Sequence, residues 1–276
     1  MTERLAAQLA AMFGLSHVLA VEGGHQALVF TAVRADGPLI VKAIDAAFAD
    51  PAHVLARITM VEALADLEPH VCRPIRHEGR FVHELHLPDG GSRLVTLWEY
   101  APGREPDPRD PEDAALMGTT LARLHAAMAV IDPIGVAPVA SYRNQPTAPS
   151  WQLLHGDFNA ANMRLDGDTV RVFDFDDCGL GPIEFDIANA IYMVLFDCHI
   201  TQSPSVAQRF RVAFLDGYSE RSGITIAGEV IDREIDRRVD ALAGWLDNPE
   251  TAPIGIRTST DEWKAVLRAF AKAHQG

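Results

Sequence analysis

Apolar positions near the N-terminus come in short blocks. After an alanine-rich stretch with helical character, Ser16 to Ala20, Ala27 to Val33 and Leu39 to Ile44 are separated by Gly23-Gly24 and by Asp36-Gly37-Pro38. Blocks of this length bounded by turn residues predict three antiparallel strands. The period then changes: Pro51 to Leu67 puts Val54, Ile58, Val61, Leu64 and Ala65 on one side of a helix, and Asp50 ahead of Pro51 suits its N-cap. Two more β segments, Ile75 to Leu87 and Arg93 to Tyr100, flank the turn Pro88-Asp89-Gly90-Gly91. The region 1–100 therefore reads as a small antiparallel sheet with one main helix.

Ala101 to Pro111 is dense in proline, glycine and charge, and is the expected hinge or linker, residues 101–111. Beyond it, Glu112 to Val130 has helical spacing, Pro133 to Pro149 reads as a loop, and Leu153 to Cys178 as a loop with short strands. Helices dominate from Glu184 onward, with a proline-bearing loop expected from Asn248 to Ser259. The second region, 112–276, is thus mostly helical, and the fold class is α+β.

Composition narrows the function classes. Of 276 residues, 48% are hydrophobic and 22% charged, enough to bury a core. No apolar run reaches spanning length, and the N-terminal stretch, with Glu3 and Arg4, lacks a signal-peptide core, so a cytoplasmic location is expected. Cys72, Cys178 and Cys198 are odd in number and far apart, which supports neither a disulfide framework nor a zinc site. The net charge of -14 without a Lys/Arg cluster argues against nucleic acid and against an anionic membrane, and is compatible with a cationic small molecule.

The segment Leu154-His155-Gly156-Asp157-Phe158-Asn159-Ala160-Ala161-Asn162 puts a carboxylate and an amide on one tight loop, and Asp174 follows in Val172-Phe173-Asp174-Phe175-Asp176. Phosphoryl transfer needs a carboxylate to orient the attacking hydroxyl and oxygen ligands to hold magnesium against the phosphates. Asp157, Asn162 and Asp174 make up that set. An acidic loop taken alone also fits solvated turns or a calcium site; the joint pattern is what argues for phosphoryl transfer.

This stretch resembles the catalytic core of the aminoglycoside phosphotransferase and choline kinase family, relatives of the protein kinases: His-Gly-Asp, an Asn five residues after the Asp, an Asp at an apolar strand end, and a further Asp, here Asp186, before a helix. The resemblance implies a protein-kinase-like two-lobed fold, with a small antiparallel-sheet N-lobe and a mostly helical C-lobe. It implies Asp157 as catalytic base or hydroxyl-orienting residue, Asn162 and Asp174 as Mg2+ ligands, Asp186 as a brace for the catalytic loop, and His155 as a scaffold. It further implies ATP or GTP as donor.

On the nucleotide side, Lys42 alternates with Ile40 and Ile44 on one face of its strand and is the candidate phosphate-binding cation; by resemblance, Glu62 pairs with it. Gly24 and His25 sit between the first two strands, where backbone amides could meet phosphate oxygens. The full Gly-x-Gly-x-x-Gly pattern is absent, so an ordinary hairpin turn fits equally well. Glu99 and Tyr100 fall where the resemblance puts adenine. The side chains of Trp98 and Tyr100 either pack the sheet or stack on the base, with packing the stronger expectation.

The short connection from Asp174 to Asp186 leaves no room for a long activation segment. This favours transfer to a hydroxyl of a small molecule, such as an amine-bearing antibiotic or an amino alcohol. The competing readings are a protein serine/threonine kinase and a non-catalytic nucleotide-binding regulator.

Overall fold

The computed structural model describes residues 2–21, 27–88, 90–133, 135–143, 145–167 and 169–274. The chain divides into two compact units, residues 1–101 and 102–276.

The first unit is a sheet with a helix on each face. Strands β1 (Ser16–Val21), β2 (Ala27–Arg34), β3 (Gly37–Asp45), β4 (Pro74–Ile75), β5 (His83–His86) and β6 (Ser92–Glu99) pair antiparallel in the order β1-β2-β3-β6-β4, with β5 also on β6. Alternation along β3 decides the two faces. Leu39, Val41 and Ala43 are buried with Phe30, Val95 and Leu97 against Leu5, Leu9 and Phe13 of helix α1 (Thr2–Phe13). On the opposite face, Ile44 and Trp98 pack with Leu94 and Phe81 against Val54 and Ile58 of helix α2 (Pro51–Leu67). That is the face to which Lys42 belongs. Helix α2 starts where expected: the Asp50 carboxylate accepts from the Ala52 amide at 2.8 Å, with Pro51 beginning the first turn.

The single β segment expected over Ile75 to Leu87 is broken. Strands β4 and β5 are separated by a tight turn in which Glu78 and Gly79 take φ of +48° and +78°, and His77 and Arg80 exchange backbone hydrogen bonds. The turn has a local signal, since residues 76–80 read Arg-His-Glu-Gly-Arg with no apolar position and a glycine at the bend.

The second unit is built on helices α3 (Pro111–Met128), α4 (Ile183–Thr201), α5 (Pro204–Ser222), α6 (Gly228–Asp247), α7 (Ile254–Arg257) and α8 (Asp261–His274). Between α3 and α4 lie two short antiparallel pairs, β7 (Gln152–Leu154) with β10 (Gly179–Gly181), and β8 (Met163–Asp166) with β9 (Thr169–Val172). Helices α3 and α5 touch backbone to backbone through two glycines: a Cβ at Gly118 would lie 2.0 Å from the Phe214 carbonyl oxygen, and one at Gly217 would lie 2.1 Å from that of Ala115. The loop expected from Pro133 to Pro149 contains a 3-10 turn, Ala140–Tyr142, whose Tyr142 is buried and donates to Glu234 at 2.6 Å.

Residues 102–111, linker-like in composition, are fastened to this unit. Arg104 and Leu165 exchange backbone hydrogen bonds of 2.9 and 2.7 Å, the Arg104 guanidinium forks onto Asp113, and the Asp107 amide donates to the same carboxylate at 2.7 Å. The Arg104 hydrogen bond holds the Asp113 carboxyl below its ordinary value. No helix among the described residues is long and apolar enough to cross a membrane.

Candidate active site

The second unit gathers Asp157, Asn162, Asp174 and Asp186 around one loop, and the order of construction starts from Asp186. This side chain is fully buried in the first turn of α4. One carboxylate oxygen accepts the His155 amide at 2.7 Å and faces His125 Nε2 at 3.3 Å; the other accepts the Gly156 amide at 2.9 Å. Burial pushes its carboxyl upward, but the His125 hydrogen bond, the electrostatic attraction of the His125 and His155 rings and the Gly156 amide together outweigh this and hold it below the ordinary range. A carboxylate can only accept, so the His125 proton sits on Nε2, while Nδ1 meets the Tyr218 hydroxyl at 2.9 Å. The Tyr218 hydroxyl is pushed up, first by burial and then by Glu184 and Asp186, so it stays protonated.

Gly156 bends the loop. It takes φ of +85°, and a Cβ there would fall 1.9 Å from the Asp177 carbonyl oxygen, so only glycine fits. His155 is fully buried and its tautomer is fixed by its neighbours. Nδ1 accepts the Asp157 amide at 3.3 Å, so Nε2 carries the proton and donates to the Phe173 carbonyl at 3.1 Å. Its ring also lies on Phe175, centroids 4.4 Å apart. This histidine staples the loop to the segment bearing Asp174 and has no ring nitrogen left for proton transfer.

Asp157 emerges from this frame with both carboxylate oxygens oriented by amides. Asn162 Nδ2 donates to one oxygen at 3.1 Å and to the Asp157 carbonyl at 2.9 Å. Asn189 Nδ2 donates to the other at 3.3 Å and to the Phe158 carbonyl at 3.1 Å. Asn189 is fully buried, and its Oδ1 has no hydrogen-bond partner. Asp174 takes φ of +67°, a left-handed conformation that costs a non-glycine residue roughly 1 kcal/mol or more. It is held there by bonds on the residue before it: the Phe173 amide donates to the Asn162 carbonyl at 3.1 Å, and the Phe173 carbonyl accepts from His155.

The sequence reading did not find Asn189, His125 or Tyr218. For Asn189 a signal existed: it lies one helical turn beyond Asp186 in Asp186-Ile187-Ala188-Asn189 and so shares its face. For His125 and Tyr218 none existed, because they reach Asp186 only through the packing of α3 and α5.

The nucleotide-side candidates lie in the first unit. Lys42 is buried at 8% exposure, with Nζ 5.9 Å from the Trp98 ring centroid. Glu62 receives the Arg76 guanidinium, at 2.8 Å from Nη2. The Glu99 amide donates to the Arg73 carbonyl at 2.9 Å, and its carboxylate accepts the Arg73 amide at 3.0 Å, which fastens the end of β6. Tyr100 is exposed, and Trp98 packs on the sheet with Nε1 donating to Thr96. Gly24 and His25 lie outside the described residues.

Comparison with known proteins meets the same stretch. Residues 142–224 match the phosphotransferase enzyme family. The matched residues include Asp157, Asn162, Asp174, Asp186, Asn189 and Tyr218. The fold resembles an amicoumacin kinase, hAmiN, in complex with AMP-PNP, Ca2+ and Ami, at a TM-score of 0.73 and 18% identity over 100% of this chain and 96% of that one. A microcompartment-associated aminopropanol kinase gives 0.73 at 17% identity, over 99% and 95%. A spectinomycin phosphotransferase with ADP and its antibiotic gives 0.62 at 14%, over 99% and 98%. An uncharacterized protein of Synechocystis sp. is 26% identical over 212 residues, which is 62% of this chain and 56% of that protein's length. The α+β, kinase-like fold expected from the sequence is therefore the fold observed.

Proposed function

We propose that the chain transfers the γ-phosphate of ATP to a hydroxyl of a small molecule, with Asp157 as the residue that orients the hydroxyl and accepts its proton. The observation that carries this is the Asp157 carboxylate itself. It is held by amides from two elements, the catalytic loop and α4, on a loop whose backbone is fixed by buried Asp186. Orientation of this kind is what a near-attack geometry requires.

The residues present fit a divalent cation. Asn162 commits Nδ2 to Asp157, which leaves its amide oxygen as a ligand atom, and Asp174 would supply a carboxylate. Bound there, Mg2+ would neutralise phosphate charge and orient the transferring group. Lys42 contributes a cation for the donor's phosphates. It is a nearly buried ammonium on the sheet face that packs on α2, a compact point charge of the kind that meets phosphate.

The solved structures that share the fold include a kinase and a phosphotransferase described with antibiotics and a kinase described for an amino alcohol. That supports a small-molecule acceptor, as does the short run from Asp174 to Asp186. The test is a thermal-shift titration with MgATP and MgGTP, followed by ADP-release screening against hydroxy acids, amino alcohols, antibiotics, sugars and a generic protein. Stabilisation by MgATP with ADP release that depends on one small hydroxy compound is expected. No stabilisation by either nucleotide, or phosphate appearing only on the protein, would overturn the proposal.

A further inference from the structure

Helix α4 carries Asn189, which holds Asp157, and on the same face one and two turns further on it carries Tyr192, Met193 and Phe196. These three line an open cavity of about 190 Å³, together with Arg238 and Trp245 of α6 and with Ser141. For scale, an apolar cavity of ~150 Å³ accommodates one benzene ring. Among the described residues lining it, none is acidic.

Among the described residues of that lining, Arg238 is the only charged group. Its guanidinium lies over two rings, 4.9 Å from the Tyr192 centroid and 5.2 Å from that of Phe185, and its buried Nε has no hydrogen-bond partner. One turn back on α6, Glu234 Oε2 accepts from Tyr142 at 2.6 Å and faces Arg237 Nε at 3.4 Å. A guanidinium cannot neutralise itself by losing a proton, and stacking on aromatic rings offsets only part of its desolvation. Its Nε is therefore an unused donor, set in the planar, forked group whose geometry matches a carboxylate.

We propose that this cavity receives the body of the phosphate acceptor, and that the acceptor is a hydroxy acid with one ring or a short apolar body, its carboxylate bound by Arg238. The inference rests on the phosphotransferase reading and deepens it by assigning the substrate class. It runs against the amine-bearing acceptor that the net charge of -14 suggested. A polyamine would find apolar surface and a cation here, with no carboxylate to meet it.

The test is calorimetric titration of the full chain with phenyllactate, its methyl ester and phenylalaninol. These three share a body and a hydroxyl and differ in charge. Phenyllactate is expected to bind about tenfold tighter than either of the others, the equivalent of one charge-assisted hydrogen bond. In Arg238→Met, which keeps the aliphatic stem, the acid and ester should come within about twofold, and Arg238→Lys should retain part of the preference. Phenylalaninol binding as well as phenyllactate, no saturable binding of any of the three, or an unchanged preference in Arg238→Met would each overturn the assignment. Parallel ADP-release assays separate the two layers. Phenyllactate bound through Arg238 without transfer would sink the kinase reading and leave the anion pocket standing. Transfer to amines with no phenyllactate binding would do the reverse.

Discussion

Removing the Asp186 carboxylate should damage both folding and turnover, and the structure sets the scale. In Asp186→Ala the amides of His155 and Gly156 lose acceptors at 2.7 and 2.9 Å, in a place where His155 and Asp186 are fully buried and water cannot substitute. Each orphaned donor costs about 1 to 3 kcal/mol, and breaking a buried charged pair costs about 3 to 5 kcal/mol in total. For a unit of this size about 1 kcal/mol corresponds to roughly 2 to 4 °C, so a fall in Tm of about 10 °C is expected. Asp157 is the next residue along the released loop, and a displacement near 1 Å would lower kcat on the order of 100-fold. Differential scanning calorimetry and acceptor-dependent ADP release measure the two effects. A Tm within about 2 °C of wild type, or an unchanged kcat, would refute the bracing role.

The same residue makes a pH prediction. Its folded-state pKa lies below the unfolded value, so its stabilisation is complete above the ordinary carboxylate range and is lost as pH falls through the lower folded value. The Tm gap between wild type and Asp186→Asn should therefore be constant across neutral and mildly acidic pH. It should narrow only below about pH 4.

Three further substitutions test separate parts of the frame. Gly156→Ala must move the Asp177 carbonyl, 1.9 Å from the new Cβ, and adopt a positive φ; it should cost about 3 kcal/mol or more, read as a lowered denaturation midpoint in urea. Gly118→Ala should also destabilise, although alanine is the better helix former by about 1 kcal/mol, because its Cβ would meet the Phe214 carbonyl at 2.0 Å; a raised Tm would contradict the packing. Asn189→Ala removes two hydrogen bonds and also an unsatisfied buried oxygen, effects of about 1 to 3 kcal/mol that oppose each other. Its Tm should change little while kcat falls about tenfold through the loosened Asp157.

Much of this was legible before any coordinates. Strand alternation put Lys42 opposite the fully buried Leu39, Val41 and Ala43, and the Asp50-Pro51 pair marked the start of α2, because both signals are local. The Asp157, Asn162 and Asp174 spacing was equally readable, and the structure brings the three onto one hydrogen-bonded loop system. Local patterns could not show how distant helices complete the site. Tyr218 meets His125, and His125 meets Asp186, where two glycines let α3 and α5 touch, and Trp245 lines a cavity formed by α4 and α6. The proline- and glycine-rich residues 102–111 begin at the division between the two units and are fixed to the second by Gly103 lying against the Leu165 backbone and by the Arg104 fork on Asp113. Glu62, a helix acid chosen by resemblance, carries Arg76.

The central claim is that Asp157 directs a phosphoryl group from ATP to a hydroxyl. Its most direct test is single-turnover transfer from γ-labelled ATP to an accepted hydroxy compound, comparing wild type with Asp157→Ala under saturating MgATP. Loss of transfer by about 100-fold or more, with nucleotide-induced thermal stabilisation retained, is the predicted result. Equal transfer rates in the two proteins would contradict it.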